Sequence, residues 1–355
     1  MAEGTGWIRT AAAVLILIGI STAFPLCAGE LWVNQPQAVR MTGKMSLKGL
    51  YQPSETTGFD NVPGWQGVYD DEIARGAIRI NSLGQRDDEP ATARPDVRRV
   101  LLIGDSFAFG YALDEGETID KQIERLSEGR VDAYNQGVNG HGPGDILAKL
   151  RANDWWKGSD VFYLFYHNDL REDNATPAYH GVFEGYVVPR RKSDGSAYTE
   201  DEYREFVSRH ERHIAANKTS RLSWAWIQSA LKLEGIRRRI ALLLGADEEL
   251  VDGSLSMYRP EYTAAAVKTT RQMAAIVEER GARFHVVVVP SLGETAFGRY
   301  ARVTADYVAA ASDAGIHVIE LRERLSADDY FAHDGHFNPH GAARAARAIL
   351  EVVGS

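Results

Sequence analysis

From residue 96 onward the chain alternates between short apolar runs and longer segments of helical period. Val100-Leu-Leu-Ile103 is unbroken apolar sequence, preceded by Arg98-Arg99 and closed by Gly104-Asp105-Ser106. A run of that length between charged and glycine boundaries predicts a strand buried on both faces. Thr118 to Leu126 then predicts a helix with Ile119, Ile123 and Leu126 on one side, and Val131 to Tyr134 a second strand. Another helix starts across Ile146 to Leu150, and Val161 to Tyr166 reads as a third strand. The pattern resumes late in the chain. Tyr262 to Arg280 and Tyr300 to Ala314 have helical spacing, whereas Phe284 to Pro290 and Ile316 to Leu321 read as strands. A closing helix over Gly341 to Val353 has Asn338 as its amino-terminal cap and Pro339 at its first position. Strands that alternate with helices predict an α/β domain, a parallel sheet of about five strands covered on both faces.

Three stretches fall outside that pattern. Ala11 to Ile20 is apolar apart from Gly19, the run stays weakly apolar to Ala28, and Trp7 and Trp32 flank it. This approaches the ~17–25 residues needed to span a bilayer as a helix. Residues 1–29 are therefore expected to be a membrane anchor, held through residues 8–28, or a signal peptide cut near Cys27-Ala28-Gly29. Either reading exports the rest of the chain, as a membrane-anchored extracytoplasmic protein or a secreted one. Residues 30–95 show no sustained period and are expected to form a loop-rich extension, with a short strand at Ala77 to Asn81 and a linker from Asp87 to Pro95. Residues 170–260 read as an insertion: Asp173 to Glu202 is polar, and Leu222 to Leu244 is a helical stretch with Trp224, Ile227, Leu231, Ile236 and Ile240. Its apolar face could pack on the core, cover a site, or rest on a membrane beside Arg237-Arg238-Arg239.

The bulk numbers narrow the function class. A net charge of −9 argues against nucleic acid as a partner. The single cysteine, Cys27, excludes a disulfide framework within the chain and a cysteine-based zinc site. No set of histidines and carboxylates has metal-ligand spacing, so neither metal nor cofactor is expected.

The candidate chemistry lies at the strand ends. Ser106 follows the first strand. The second ends in Asn135-Gln-Gly-Val-Asn-Gly140-His-Gly-Pro-Gly144, where four glycines fall within eight residues. The third ends in His167-Asn168-Asp169, and a late loop carries Asp334 and His336. In a parallel sheet all carboxyl ends share one edge, so segments more than two hundred residues apart can converge there. Rival motifs fail: Gly-x-Ser-x-Gly would need glycine at Ala108, and no phosphate-cradling Gly-Lys-Ser/Thr loop occurs.

Taken in order, these segments resemble the blocks of the SGNH/GDSL hydrolase superfamily. Gly104-Asp105-Ser106 matches its first block, Asn135 to Gly140 its second, and Tyr166-His167-Asn168-Asp169 its third, without the usual leading glycine. Asp334-Gly335-His336 matches the last block in a form one residue shorter, similar to that of alginate acetyltransferase-like members. The resemblance covers about residues 96–350 and implies a flavodoxin-like α/β/α fold. It also implies roles. Ser106 is the expected nucleophile, His336 its base, and Asp334 the group that orients the imidazole. The Ser106 N–H, the Gly140 N–H and the Asn168 amide are the expected oxyanion donors. His333 and His340 compete with His336 as the base; His141 and His167 are expected to shape the pocket, and Asp105 to stabilise the turn. The expected activity is that of a serine-dependent O-acyl esterase or O-acyltransferase on a small acyl ester or acylated glycan. Two other classes stand beside it: a non-catalytic glycan-binding or assembly protein of the same fold, and a membrane-surface protein working through residues 222–244.

Overall fold

The computed structural model describes residues 47–70, 75–89, 97–153, 159–170, 177–192, 195–219, 260–297, 301–331 and 335–354. Contacts divide the chain into two units. One comprises residues 39–208 and 256–355 and holds the elements discussed below. Of the other, residues 1–38 and 209–255, only 209–219 are described, and they end the helix Glu200–Thr219.

Two antiparallel hairpins come first, β1 (Tyr51–Ser54) with β2 (Gly58–Asn61), and β3 (Gln66–Asp70) with β4 (Arg75–Arg79). The α/β layer follows: β5 (Arg98–Gly104), α1 (Ser106–Phe109), α2 (Ile119–Leu126), β6 (Val131–Asn135), α3 (Pro143–Ala152) and β7 (Asp160–Tyr166). A third hairpin, β8 (His180–Phe183) with β9 (Tyr186–Pro189), and α4 (Glu200–Thr219) interrupt it. It closes with α5 (Pro260–Glu278), β10 (Arg283–Val289), α6 (Leu292–Phe297), α7 (Ala301–Asp313), β11 (His317–Glu320) and α8 (Pro339–Val353).

The central sheet has five strands in the order β6-β5-β7-β10-β11, all parallel. In chain order that is 2-1-3-4-5, the doubly wound arrangement in which the chain reverses direction between β5 and β7. Consecutive strand residues point to opposite faces. Val100 and Leu102 therefore bury against α2 and α8, while Leu101 and Ile103 bury against α3 and α5. Every residue from Val161 to Phe165 on β7 is fully buried. This two-sided burial is why both strands read as unbroken apolar sequence. Asn338 caps α8 as expected, its Oδ1 accepting from the backbone N–H groups of His340 at 2.9 Å and Gly341 at 3.2 Å.

The loop-rich expectation for residues 30–95 is corrected over the described part. Residues 47–89 carry both early hairpins and a small apolar core of their own, in which Leu47, Leu50, Phe59, Ile78 and Ile80 meet Phe109, Tyr111 and Val138. Their strands run to only four or five residues, and their burial is supplied by the end of α1 and by the segments that follow α1 and β6, so no period shows in the sequence. The segment expected to be polar loop, Asp173 to Glu202, likewise holds the β8–β9 hairpin and the start of α4. The apolar stretch at residues 8–28 with its Cys27 cleavage point, and the Leu222 to Leu244 stretch, lie outside the described residues. Among the described residues, no helix is long and apolar enough to cross a membrane.

Candidate active site

β5 and β7 flank the point where the chain reverses, and open α/β sheets bind ligands in the crevice at the carboxyl ends of such strands. Ser106 and Asn168 both lie there. The turn after β5 is shaped by Gly104, at φ 153°, and by Asp105, whose Oδ1 accepts the Phe107 N–H at 3.0 Å and so caps α1. That helix is one turn long. It stops at Gly110, which takes the left-handed conformation at φ 81°, and the N–H groups of Gly110 and Tyr111 both donate to the Ser106 carbonyl, at 3.0 and 2.9 Å. The nucleophile candidate therefore opens a turn held at both ends.

His336 arrives from the other end of the chain. Its loop is closed by a bridge between Tyr330 and Phe337, by the Phe331 N–H on the His336 carbonyl at 2.8 Å, and by Gly335 at φ 82°. Asn338 pins the loop's exit by donating its side-chain N–H to the carbonyls of Asp328 at 2.7 Å and Tyr330 at 3.3 Å. The imidazole sits between two rings, with centroids 4.9 Å from Phe107 and 4.8 Å from Tyr111. Its Nε2 lies 2.7 Å from Ser106 Oγ. Two side chains 230 positions apart are thus within hydrogen-bond reach. If Ser106 donates in this bond, Nε2 is the bare nitrogen and the ring proton rests on Nδ1.

No family model and no curated protein matches this chain. Solved structures similar to it include a member of the lipolytic G-D-S-L family from Veillonella parvula, 14% identical, with 73% of this chain and 99% of that one aligned at a TM-score of 0.39. A carbohydrate acetylesterase family member from Sinorhizobium meliloti is 12% identical, with 72% and 97% aligned at a TM-score of 0.38. LAE5, an alpha/beta hydrolase from a lake metagenome, is 13% identical, with 72% and 95% aligned at a TM-score of 0.39.

The other expected site residues divide. Asp334 and the competing His333 lie outside the described residues. His340 is exposed in the first turn of α8, and the structure brings His336, not His340, to Ser106. Gly140 stands in the turn after β6 at φ 95°, a conformation that residues with a Cβ rarely take. Neither its N–H nor that of Ser106 donates to a group among the described residues. Asn168, in the turn that follows β7, donates from Nδ2 to Asp105 Oδ2 at 3.1 Å. Asp105 thus does more than steady its own turn: it sets the direction of the Asn168 amide. Next to it, Asp169 Oδ2 accepts the Tyr163 hydroxyl at 2.8 Å and the Tyr166 N–H at 3.1 Å. Burial, and then the neighbouring Asp105 charge, hold the Asp169 carboxyl well above the usual carboxylate range.

Two residues of the site were not visible in the sequence. Gly137 lies against α1, where an added Cβ would fall 2.2 Å from the Phe109 nitrogen. Arg86 reaches beneath the same helix from the early hairpins. Gly137 was one glycine in a run of four, and Arg86 one charge in a polar segment, so neither carried a local signal. Among the described residues no group of three His, Cys, Asp or Glu is placed to hold a metal ion.

His141 stands in the segment between β6 and α3. It is buried, its Nε2 lies 2.9 Å from the Phe59 carbonyl, and burial depresses its pKa to about 4. The unfolded chain takes up this proton first as the pH falls below 6.5, so the neutral histidine's contribution to stability is present above pH 6.5 and is lost down to about pH 4. Asp145 acts in the opposite sense. Burial raises its pKa to about 6, which favours the fold at low pH. Gln in place of His141 keeps an N–H for Phe59 and removes only the titration. In urea unfolding, His141→Gln is expected to gain up to about 3 kcal/mol relative to the native chain between pH 7 and pH 4. Equal pH slopes for the two proteins would contradict this assignment.

Proposed function

We propose that this chain is a serine-dependent O-acyl esterase or O-acyltransferase that works outside the cytoplasm on an O-acylated glycan. The observation that carries the enzymatic part is the 2.7 Å approach of His336 Nε2 to Ser106 Oγ at the crevice of the sheet. In this reading Ser106 Oγ attacks the ester carbonyl while His336 Nε2 takes its proton. Serine needs such a base, and imidazole suits the task near neutral pH. The carbonyl oxygen gains negative charge and is met by the Ser106 and Gly140 N–H groups and the Asn168 amide. Collapse of the tetrahedral intermediate leaves an acyl group on Ser106. The alkoxide leaves with the proton that His336 held. Water or a sugar hydroxyl then attacks the acyl-enzyme, with His336 as base again, and Ser106 is released. Asp334, two residues before the base, is assigned the orienting role. The glycan part of the reading is supported by the shortened Asp334-Gly335-His336 block, and the extracytoplasmic part by the apolar stretch at residues 8–28.

The test uses the full chain with p-nitrophenyl acetate and a fluorophosphonate, followed by an acetylated glycan with and without an added sugar acceptor. Ester turnover with label on Ser106 is expected. Acetylated acceptor would identify transfer, and free acetate hydrolysis. Glycan binding with neither turnover nor label would leave a non-catalytic binding protein in place of the enzyme.

A further inference from the structure

Arg86 is buried, at 2% exposure, yet no carboxylate forms an ion pair with its guanidinium among the described residues. It meets backbone carbonyls instead. Nη1 donates to Phe109 O at 2.9 Å and to Gly110 O; Nη2 donates to Leu113 O at 2.7 Å and to Ala77 O at 3.2 Å. The guanidinium carbon also lies 4.8 Å from the centroid of the Phe109 ring. Three of the four carbonyls belong to the segment leaving α1, and the fourth belongs to β4. A buried cation is costly, and hydrogen bonds made by charged groups are the stronger kind, so these four bonds offset the burial, although Arg86 Nε has no hydrogen-bond partner among the described residues. Burial lowers the Arg86 pKa only to about 10, so the charge persists at neutral pH.

The position of this clamp gives it a function. α1 is a single turn that opens at Ser106 and ends at Gly110. At ~1.5 Å of rise per residue, the clamp is about 6 Å along the helix from the nucleophile. One turn of helix has little stability of its own, because nucleation is unfavourable and its last carbonyls lack partners. Arg86 supplies one to Phe109 O and adds a second donor to Gly110 O, which also accepts the Leu113 N–H at 3.1 Å, and a cation at the carboxyl end complements the helix dipole. We infer that Arg86 is a positioning residue for Ser106: it locks the one-turn helix and ties it to the early hairpins, which thereby become part of the site. The inference rests on the reading of Ser106 as nucleophile. A lysine could not take its place. Its donors radiate from one atom, whereas the planar guanidinium fork reaches carbonyls on separate stretches of chain.

The experiment uses the full chain, Arg86→Lys to keep the charge without the fork, and Arg86→Ala for rescue. Active sites are titrated with a fluorophosphonate, so that turnover of p-nitrophenyl acetate is expressed per competent site. Amide exchange is followed at Gly110 and Tyr111, whose N–H groups bond Ser106 O, with Val287 in the sheet as reference. In Arg86→Lys, kcat per titrated site is expected to fall about 10²-fold with KM little changed, since small misplacements of a reacting group have effects of that size. Exchange at Gly110 and Tyr111 should quicken while Val287 holds. Free guanidinium should restore part of kcat to Arg86→Ala. A merely structural role would lower the titratable fraction and leave kcat per site alone. Native kcat per site in Arg86→Lys, with exchange at Gly110 and Tyr111 unaltered, overturns the proposal. If the native chain turns over no ester, the enzymatic reading fails and exchange alone decides the clamp. If Arg86→Lys does not fold, the native chain decides: Gly110 and Tyr111 must exchange as slowly as Val287, and early local opening overturns the inference.

Discussion

Ser106→Ala is expected to remove ester turnover by about 10⁴–10⁶-fold in kcat and to abolish fluorophosphonate labelling. The size follows from the geometry. Ser106 Oγ is the atom His336 Nε2 faces at 2.7 Å, and without it the base has nothing to activate but water. The oxyanion donors remain, so a residual rate above the uncatalysed one is expected. Stability should hardly change. The substitution deletes one hydrogen bond, with a net contribution of about 1 kcal/mol, and the helix bonds to the Ser106 carbonyl persist in alanine. His336→Ala should cost a similar factor, and the double variant should be no worse than either single, because the pair acts as a unit. His340→Ala serves as a control, since that side chain is exposed away from the pair and its backbone N–H bond to Asn338 survives. Label retained on the Ser106→Ala protein, or a rate within tenfold of native, would sink the nucleophile assignment.

The approach of His336 to Ser106 was legible in the sequence, for a physical reason. A strand buried on both faces leaves a plain apolar signature, as in Val161 to Phe165, and its end is where a parallel sheet presents function. Ser106, Gly140, Asn168 and His336 could therefore be placed on one rim from strand ends and motif blocks. What stayed hidden depends on contacts between distant segments. Gly58 resembles any turn glycine, but a Cβ there would fall 1.9 Å from the His180 carbonyl, so β8 sits directly upon it. The early hairpins owe their burial to Phe109, Tyr111 and Val138, and without those partners their sequence has no period. Asn168 stood out as a strand-end residue, but the Asp105 carboxylate that its amide meets did not, because a side chain's partner leaves no trace in spacing.

Gly137→Ala is expected to damage both fold and activity, although it adds a single methyl group. The added Cβ would lie 2.2 Å from Phe109 N, 2.6 Å from Ala108 C and 2.7 Å from Phe109 Cα. These are backbone atoms of the helix that carries Ser106, so no side chain can swing aside. Nor can the loop easily retreat: Gly137 N bonds Asn135 Oδ1 at 3.0 Å, Gln136 N bonds Leu102 O at 2.9 Å, and Val138 N bonds Gly104 O at 3.2 Å. Ordinary contact therefore requires a shift of roughly 1 Å in α1 or in the loop leading to Gly140. Overpacking of this kind costs about 1–3 kcal/mol. A displacement of that size at a nucleophile or an oxyanion donor costs about 10²-fold in rate. Urea unfolding and the fluorophosphonate labelling rate should show both losses together. Gly116→Ala is the comparison, with no atom within 4 Å of the added Cβ, and it should be neutral in both assays. A Gly137→Ala protein that labels at the native rate would mean that α1 does not rest on this loop in solution. The glycine run would then be a turn with no part in holding Ser106.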